Sequence, residues 1–363
     1  MKNSFGNNIS VTLFGESHGE MIGAVLDGLA PGIRINKEYI DKKLTQRRPN
    51  NALSTARVEA DEWRIVSGVH LGYTTGAPLT VLIPNTGTRS SDYDSLSDTP
   101  RPSHADFTAE CKYHGYQDKR GGGHFSGRVT AALVAAGAII ASALEAHGIF
   151  IGTHIYSLGG ISDRGFDKLE SDIAILNEKL FPVISGEAAN AMKKYITECK
   201  ESKDSTGGIL ETAVIGMPAG VGEPWFDTAE GMLSHILFSI PGIKGVEFGR
   251  GFGFADLKGS EANDGYTVKD GRVVTLTNNN GGILGGITSG MPIIFRCAVK
   301  PTPSIYKEQA SVDLATMKNT TLKIEGRHDP AIIHRARAVV DAATAIALAD
   351  MLVTRYGCDY LKA

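Results

Sequence analysis

Residues 128–147 read RVTAALVAAGAIIASALEAH. The run is rich in alanine and apolar almost all the way round, so a helix formed over it has no polar face for solvent and must be covered on every side. It is too short, and too closely flanked by polar residues, to cross a bilayer comfortably. Residues 330–355, PAIIHRARAVVDAATAIALADMLVTR, repeat this character, with Pro330 suited to a first helical turn. Each half of the chain supplies strand-like stretches along with one such helix. Two antiparallel sheets packed around a central layer of helices would cover both, which predicts an α+β class, a β-α-β sandwich.

The strand-like stretches lie on either side of the first helix. Ile9 to Phe14 alternates up to Gly15, and Ile22 to Leu29 is broken by Pro31-Gly32. Asn36 is suited to cap a helix over Lys37 to Arg48, which Pro49 stops. Arg57 to Pro84 reads as a hairpin around Gly72-Tyr-Thr-Thr-Gly76, and Asn85 to Arg120 as a long functional loop. Further on, helices are expected at about 186–202 and 228–239, and strands around 208–215 and 291–299. Gly72-Tyr-Thr-Thr-Gly-Ala-Pro-Leu79 parallels Gly286-Ile-Thr-Ser-Gly-Met-Pro-Ile293. An internal pseudo-repeat and a chance match of two turns are both compatible with so short a parallel.

Composition narrows the function. With 37 Lys and Arg against 40 Asp and Glu the formal net charge is -3, so no general positive field holds a nucleic acid or an anionic membrane, and any anionic ligand must be met by a local cluster. The start MKNSFGNN lacks the layout of a signal peptide, and a cytoplasmic protein is expected. Cys111, Cys199, Cys297 and Cys358 show no metal-ligand or CxxC spacing, so they read as reduced, and no metal is expected. The 43 glycines, nearly twice the usual share of about 7%, point to tight loops around a ligand.

Four polar clusters carry the chemistry: Gly15-Glu-Ser-His-Gly19, Arg101-Pro-Ser-His-Ala-Asp106, Arg120-Gly-Gly-Gly-His-Phe-Ser-Gly-Arg128 and Gly326-Arg-His-Asp-Pro330. Histidine exchanges protons near neutrality, and arginine grips phosphate or carboxylate with two hydrogen bonds. A single loop histidine is ordinarily a surface or structural residue, so the argument rests on the recurrence. The triple glycine is either a flexible turn or an anion cradle ahead of a helix N-terminus. Neither a P-loop nor a Rossmann fingerprint is present. Ser17 beside His18 is not GxSxG, and neighbours on an extended chain point opposite ways, which disfavours a serine hydrolase. Arg47 and Arg48 either complement a helix dipole or grip a doubly charged group. Together the residues indicate an enzyme acting on an anionic, phosphorylated ligand.

In order along nearly the whole chain, these clusters, together with Asp27-Gly28, Arg47-Arg48-Pro49, Gly281-Gly-Ile-Leu-Gly-Gly286 and Lys300-Pro-Thr302, resemble the chorismate synthase family. The resemblance implies a single domain over residues 1–363 and conversion of 5-enolpyruvylshikimate 3-phosphate to chorismate and phosphate. That reaction is an anti-1,4-elimination requiring reduced FMN, without net oxidation. Carried over by position, His18 protonates the departing phosphate, His104 protonates the reduced flavin, and Asp329 relays a proton at the flavin N5, with Ser17 and Ser126 in support. Arg47, Arg48, Arg128 and Arg335 bind the substrate's anionic groups. FMN lies against His124, Phe125, Ser126, Pro241, Gly242, Gly285, Lys300, Pro301, Thr302, Pro303, Ser304 and Arg327. The resemblance also implies a homotetramer, supplied with reduced FMN by NADPH or by a separate flavin reductase.

The chain departs from the family at His124-Phe-Ser-Gly-Arg-Val-Thr130, where many members read Arg-Ser-Ser-Ala-Arg-Glu-Thr; one charge and one hydroxyl are lost from the expected flavin contacts. Leu53 replaces an arginine expected after the Arg47-Arg48 pair, with Arg57 as a substitute, and Pro241 stands where asparagine is often found. Two other readings compete: a flavin or phosphometabolite binder without chemistry, and an FMN-dependent reductase that would oxidise NADPH steadily.

Overall fold

Strands β1 (Ser4–Phe5), β2 (Ser10–Gly15), β3 (Met21–Asp27), β4 (Arg64–Ser67) and β5 (Leu79–Pro84) form an antiparallel sheet in the order β1-β2-β3-β5-β4 in the computed structural model. The structure describes residues 2–49, 60–86, 98–324 and 329–362, so Leu53, Arg57 and Arg327 fall outside it. A second antiparallel sheet contains β6 (Phe150–Leu158), β7 (Ile161–Ser162), β8 (Gly208–Ile215), β9 (Ile243–Phe248) and β10 (Ile293–Val299), ordered β9-β10-β8-β6-β7. Alternation sets the inward faces: Leu79, Val81 and Ile83 are buried on β5, and Ile293, Phe295, Cys297 and Val299 on β10.

The helices are α1 (Lys37–Arg47), α2 (Asp106–Tyr113), α3 (Thr130–Ala146), α4 (Leu169–Glu178), α5 (Gly186–Glu201), α6 (Ala229–Ser239) and α7 (Ile333–Tyr356). As its composition demands, α3 is buried almost throughout, and it packs on α7 between the two sheets. The segment Gly127–Ala146 is apolar enough to cross a membrane, but 78% of its most apolar window is buried inside the protein. Alanine lets the two helices approach closely. A Cβ on Gly137 would lie 2.5 Å from the Ala342 Cβ and 2.6 Å from its carbonyl oxygen. Gly137→Val is therefore expected to destabilise the fold by about 2 kcal/mol or more, read as a lower denaturation midpoint; an unchanged midpoint would mean that the helices have room to part.

The parallel between the halves is structural. Without edge strands β1 and β7, the sheets read β2-β3-β5-β4 and β6-β8-β10-β9, with α1 and α6 at corresponding points and α3 and α7 closing each half. Side chains repeat as well. Thr74 Oγ1 donates to Ala30 O at 2.6 Å and accepts from Ile33 N at 2.9 Å, and Thr288 Oγ1 donates to Pro218 O and accepts from Val221 N at the same two distances.

Two local expectations change. The last helix begins at Ile333, because the Pro330 carbonyl is held outside it by Thr206 N at 2.8 Å. Inside the stretch read as a loop, Asp106 opens α2; its carboxylate accepts from Arg101 N, Nε and Nη2, so a charge five residues upstream organises the helix start. All four cysteines are free.

Candidate active site

The GESHG segment leaves β2 in a turn, and the turn brings neighbouring side chains together. Ser17 Oγ and His18 Nδ1 are 3.1 Å apart, a correction to the expectation that they diverge. Ser17 Oγ donates its one proton to Arg120 O at 3.2 Å, so it accepts from His18 Nδ1–H. A serine bonded in this sense, and only 1% exposed, is not a nucleophile; the hydrolase reading fails on polarity and access.

The triple glycine is the seat of this turn. Ser17 N donates to Gly123 O at 3.1 Å, and His124 Nδ1 donates to Gly15 O at 2.8 Å, lacing the two loops together. The family's arginine position is thus occupied by a histidine committed to the backbone. At Gly121 a Cβ would lie 2.1 Å from His18 Cε1, and at Gly123 2.1 Å from Asp118 O. Gly121 makes room for the His18 ring and Gly123 for the Asp118 carbonyl, and both keep φ positive, at +60° and +52°. Ser126 Oγ accepts from Arg128 N, capping the turn into α3.

His104 stands in a cation-rich pocket. Its Nδ1 donates to Pro102 O at 3.1 Å, leaving Nε2 to accept from Ser304 Oγ at 2.9 Å. Burial, then the Arg101 charge, lowers its pKa from 6.5 to about 4, with Lys300 pushing the same way and Pro102 O and Asp106 opposing. His104 is therefore neutral near pH 7. Because the unfolded chain takes up this proton first, the group's stabilising contribution is present above 6.5 and is lost as the pH falls toward 4. An anion set against Arg101 and Lys300 must raise that pKa. Histidine C2-proton NMR should give a midpoint near 4 without ligand and a higher one with inorganic phosphate. A ligand-free midpoint of 6.5 would contradict this account.

The arginines gather behind the wall of the same pocket. Arg47 Nε donates to Thr130 Oγ1 at 3.1 Å and Nη2 to Gly127 O at 3.2 Å, while Arg128 bonds Asn85 Oδ1 and Pro84 O. Arg47, Arg48 and Arg128 all pair with the buried carboxylate of Asp61. Arg335 donates to Arg47 O and pairs with Asp329. Arg47 thereby ties together the starts of α3 and α7, whose dipoles both favour an anion there.

One cavity of about 1210 Å³ joins most of these residues. It takes in His18, Arg101, His104, Lys119, Arg120, His124, Phe125 and Ser126, and on the far side Pro241, Gly242 and Lys300 to Ser304. Asp329 is not in that wall. It borders a narrow crevice on the other side of Ser304. Gly285 lies apart, in the turn between Ile283–Leu284 and Ile287–Thr288. The buried Thr302 Oγ1, between Lys300 and Ser304, has no hydrogen-bond partner among the described residues. Sequence reading assigned no role to Asp61 or Asn85, and only the fold brings either to Arg128.

The family model for chorismate synthase matches residues 9–353. The chain is 47% identical to the chorismate synthase of Pyrococcus abyssi over 350 residues, covering 96% of this chain and 97% of that one. It is 44% identical to that of Dehalococcoides mccartyi over 352 residues, covering 97% and 96%. Among solved structures, a crystal structure of chorismate synthase superposes with a TM-score of 0.77 at 28% identity, covering 98% of this chain and 95% of that one.

Proposed function

Because the chain belongs to the chorismate synthase family, we propose that it catalyses the anti-1,4-elimination of phosphate from 5-enolpyruvylshikimate 3-phosphate to give chorismate, a lyase reaction that needs reduced FMN and leaves it reduced. The observation that carries this reading is that His18 and His104 line one cation-rimmed cavity, in a chain that matches the family over residues 9–353.

The cavity residues fit FMN. Lys300, Arg101 and the unpartnered Thr302 Oγ1 suit a phosphate, and Phe125, Val129, Leu133, Ile240 and Pro241 offer apolar surface for a flat ring system. When bound, the reduced flavin supplies the electron density that loss of a weakly acidic hydrogen and a charged leaving group demands. His18, fixed by Ser17 and Gly121, would protonate the departing phosphate. His104, neutral at rest, would gain a proton at Nε2, the nitrogen that now faces Ser304 Oγ, once bound anions offset Arg101 and Lys300. Asp329, paired with Arg335 and outside that cavity beyond Ser304, would serve as a proton relay reaching the cavity from behind Ser304. Of Arg47, Arg48, Arg128 and Arg335, Arg48 keeps the most side-chain surface exposed, 26%.

On this reading the protein works in the cytoplasm as a homotetramer, with NADPH or a separate reductase as the source of reduced flavin. Trp225, Phe226 and Phe252, all strongly exposed, give the single chain apolar surface that assembly would cover. The test is phosphate release from the substrate with oxidised and with chemically reduced FMN. Release only with reduced flavin is expected; release without flavin would overturn the proposal.

A further inference from the structure

We propose that Asp61 is a positioning residue for the anionic substrate, a buried carboxylate that holds Arg47, Arg48 and Arg128 as a single anion-binding cluster. This rests on the reading of the substrate as a phosphate ester. The Asp61 side chain is 0% exposed. Oδ2 accepts from Arg47 Nη1 at 3.1 Å and from Arg48 Nε at 3.3 Å, and Oδ1 accepts from Arg128 Nη1. Its backbone takes φ +48°, in the left-handed region that aspartate enters more readily than most residues.

Charge explains the arrangement. Three guanidinium groups brought together out of water repel one another and need a counter-charge. Asp61 supplies a counter-charge to all three and so holds them together as one anion-binding group. Arg47 and Arg128 are also held by Thr130, Gly127, Asn85 and Pro84, so they form the fixed part of the cluster. Arg48 is the more exposed member, and Asp61 sets its direction through Nε. Gly127 and Thr130 line the main cavity, so the cluster stands directly against its wall. Asp61 lies too deep to touch substrate and acts through the arginines.

The test compares wild type with Asp61→Asn, Asp61→Glu, Arg48→Met and the double variant Asp61→Asn/Arg48→Met. Affinity for inorganic phosphate is measured by calorimetry, and kcat and KM with the phosphorylated substrate. Asp61→Asn should weaken phosphate binding and raise KM by about tenfold while kcat stays within about threefold, because uniform binding is lost and not transition-state chemistry. Asp61→Glu, which keeps the charge, should recover part of the loss. In the Arg48→Met background the Asp61→Asn effect should shrink, since both act through one contact. A folded Asp61→Asn with wild-type phosphate affinity and KM overturns the proposal, as does an undiminished effect in the double variant. Should Asp61→Asn not fold, Asp61→Glu decides: a raised KM with kcat retained supports the role, and a wild-type KM removes it. If the wild type turns over no substrate, the proposed function falls and the phosphate affinities alone decide for Asp61.

Discussion

Alanine in place of Gly121 is expected to cut turnover by about a hundredfold or more while the protein stays folded. The new Cβ would lie 2.1 Å from His18 Cε1, 2.3 Å from its Nδ1 and 2.8 Å from Ser17 Oγ. No side chain fits at those distances, so the imidazole must turn away and the Ser17–His18 hydrogen bond must break. On the proposed reading His18 is a general acid; a positioned one contributes about 10²- to 10⁴-fold to rate, and this change removes the positioning without touching the imidazole itself. Gly122→Ala is the control. Its φ of +89° is equally unfavourable to a side chain, but the nearest atoms to its Cβ are Arg101 Nη2 at 3.8 Å and Ser126 Cβ at 3.9 Å. Backbone strain should cost both variants stability, and only Gly121→Ala should lose most of kcat. Equal kcat values would show that His18 is not held by this seat.

His104→Ala should lower kcat by about 10²- to 10⁴-fold while FMN still binds, because the ring supplies one proton-transfer group to a cavity that keeps its cations. Asp329→Asn should also lose most turnover with FMN bound, since the amide still accepts a hydrogen bond from Arg335 and no longer relays a proton. Flavin affinity and kcat must therefore be measured together. Full activity in either variant removes that residue from its role, and loss of folding assigns it to structure instead.

The fold was legible in the sequence wherever one property had to hold along a whole element. Alanine all round the 128–147 run left a buried helix as its only use, while the parallel of Gly72 to Leu79 with Gly286 to Ile293 left a pseudo-repeat and a chance match both open until the matching strand orders favoured the repeat. What was not legible depended on contacts that no periodic pattern signals, some local and some distant in sequence. Helix α2 has no capping side chain at Ala105, so its start is visible only once Arg101 meets Asp106. The adjacency of Ser17 and His18 was misread because a turn, not a strand, carries them. For the site, His18 and His104 were singled out in separate sequence clusters, and the fold brings both to one cavity. The pairing of Asp61 with Arg128, across 67 positions, and the placement of Asp329 behind Ser304 needed the fold.

The most direct test of the central claim is an anaerobic single-turnover experiment. Pure protein is mixed with chemically reduced FMN and 5-enolpyruvylshikimate 3-phosphate, and chorismate absorbance, phosphate release and the flavin spectrum are followed together. Chorismate and phosphate should appear in equal amounts at the same rate, with the flavin still reduced at the end. Flavin oxidised in proportion to product, or a flavin spectral change on substrate addition with no product formed, would contradict an elimination carried out by this site.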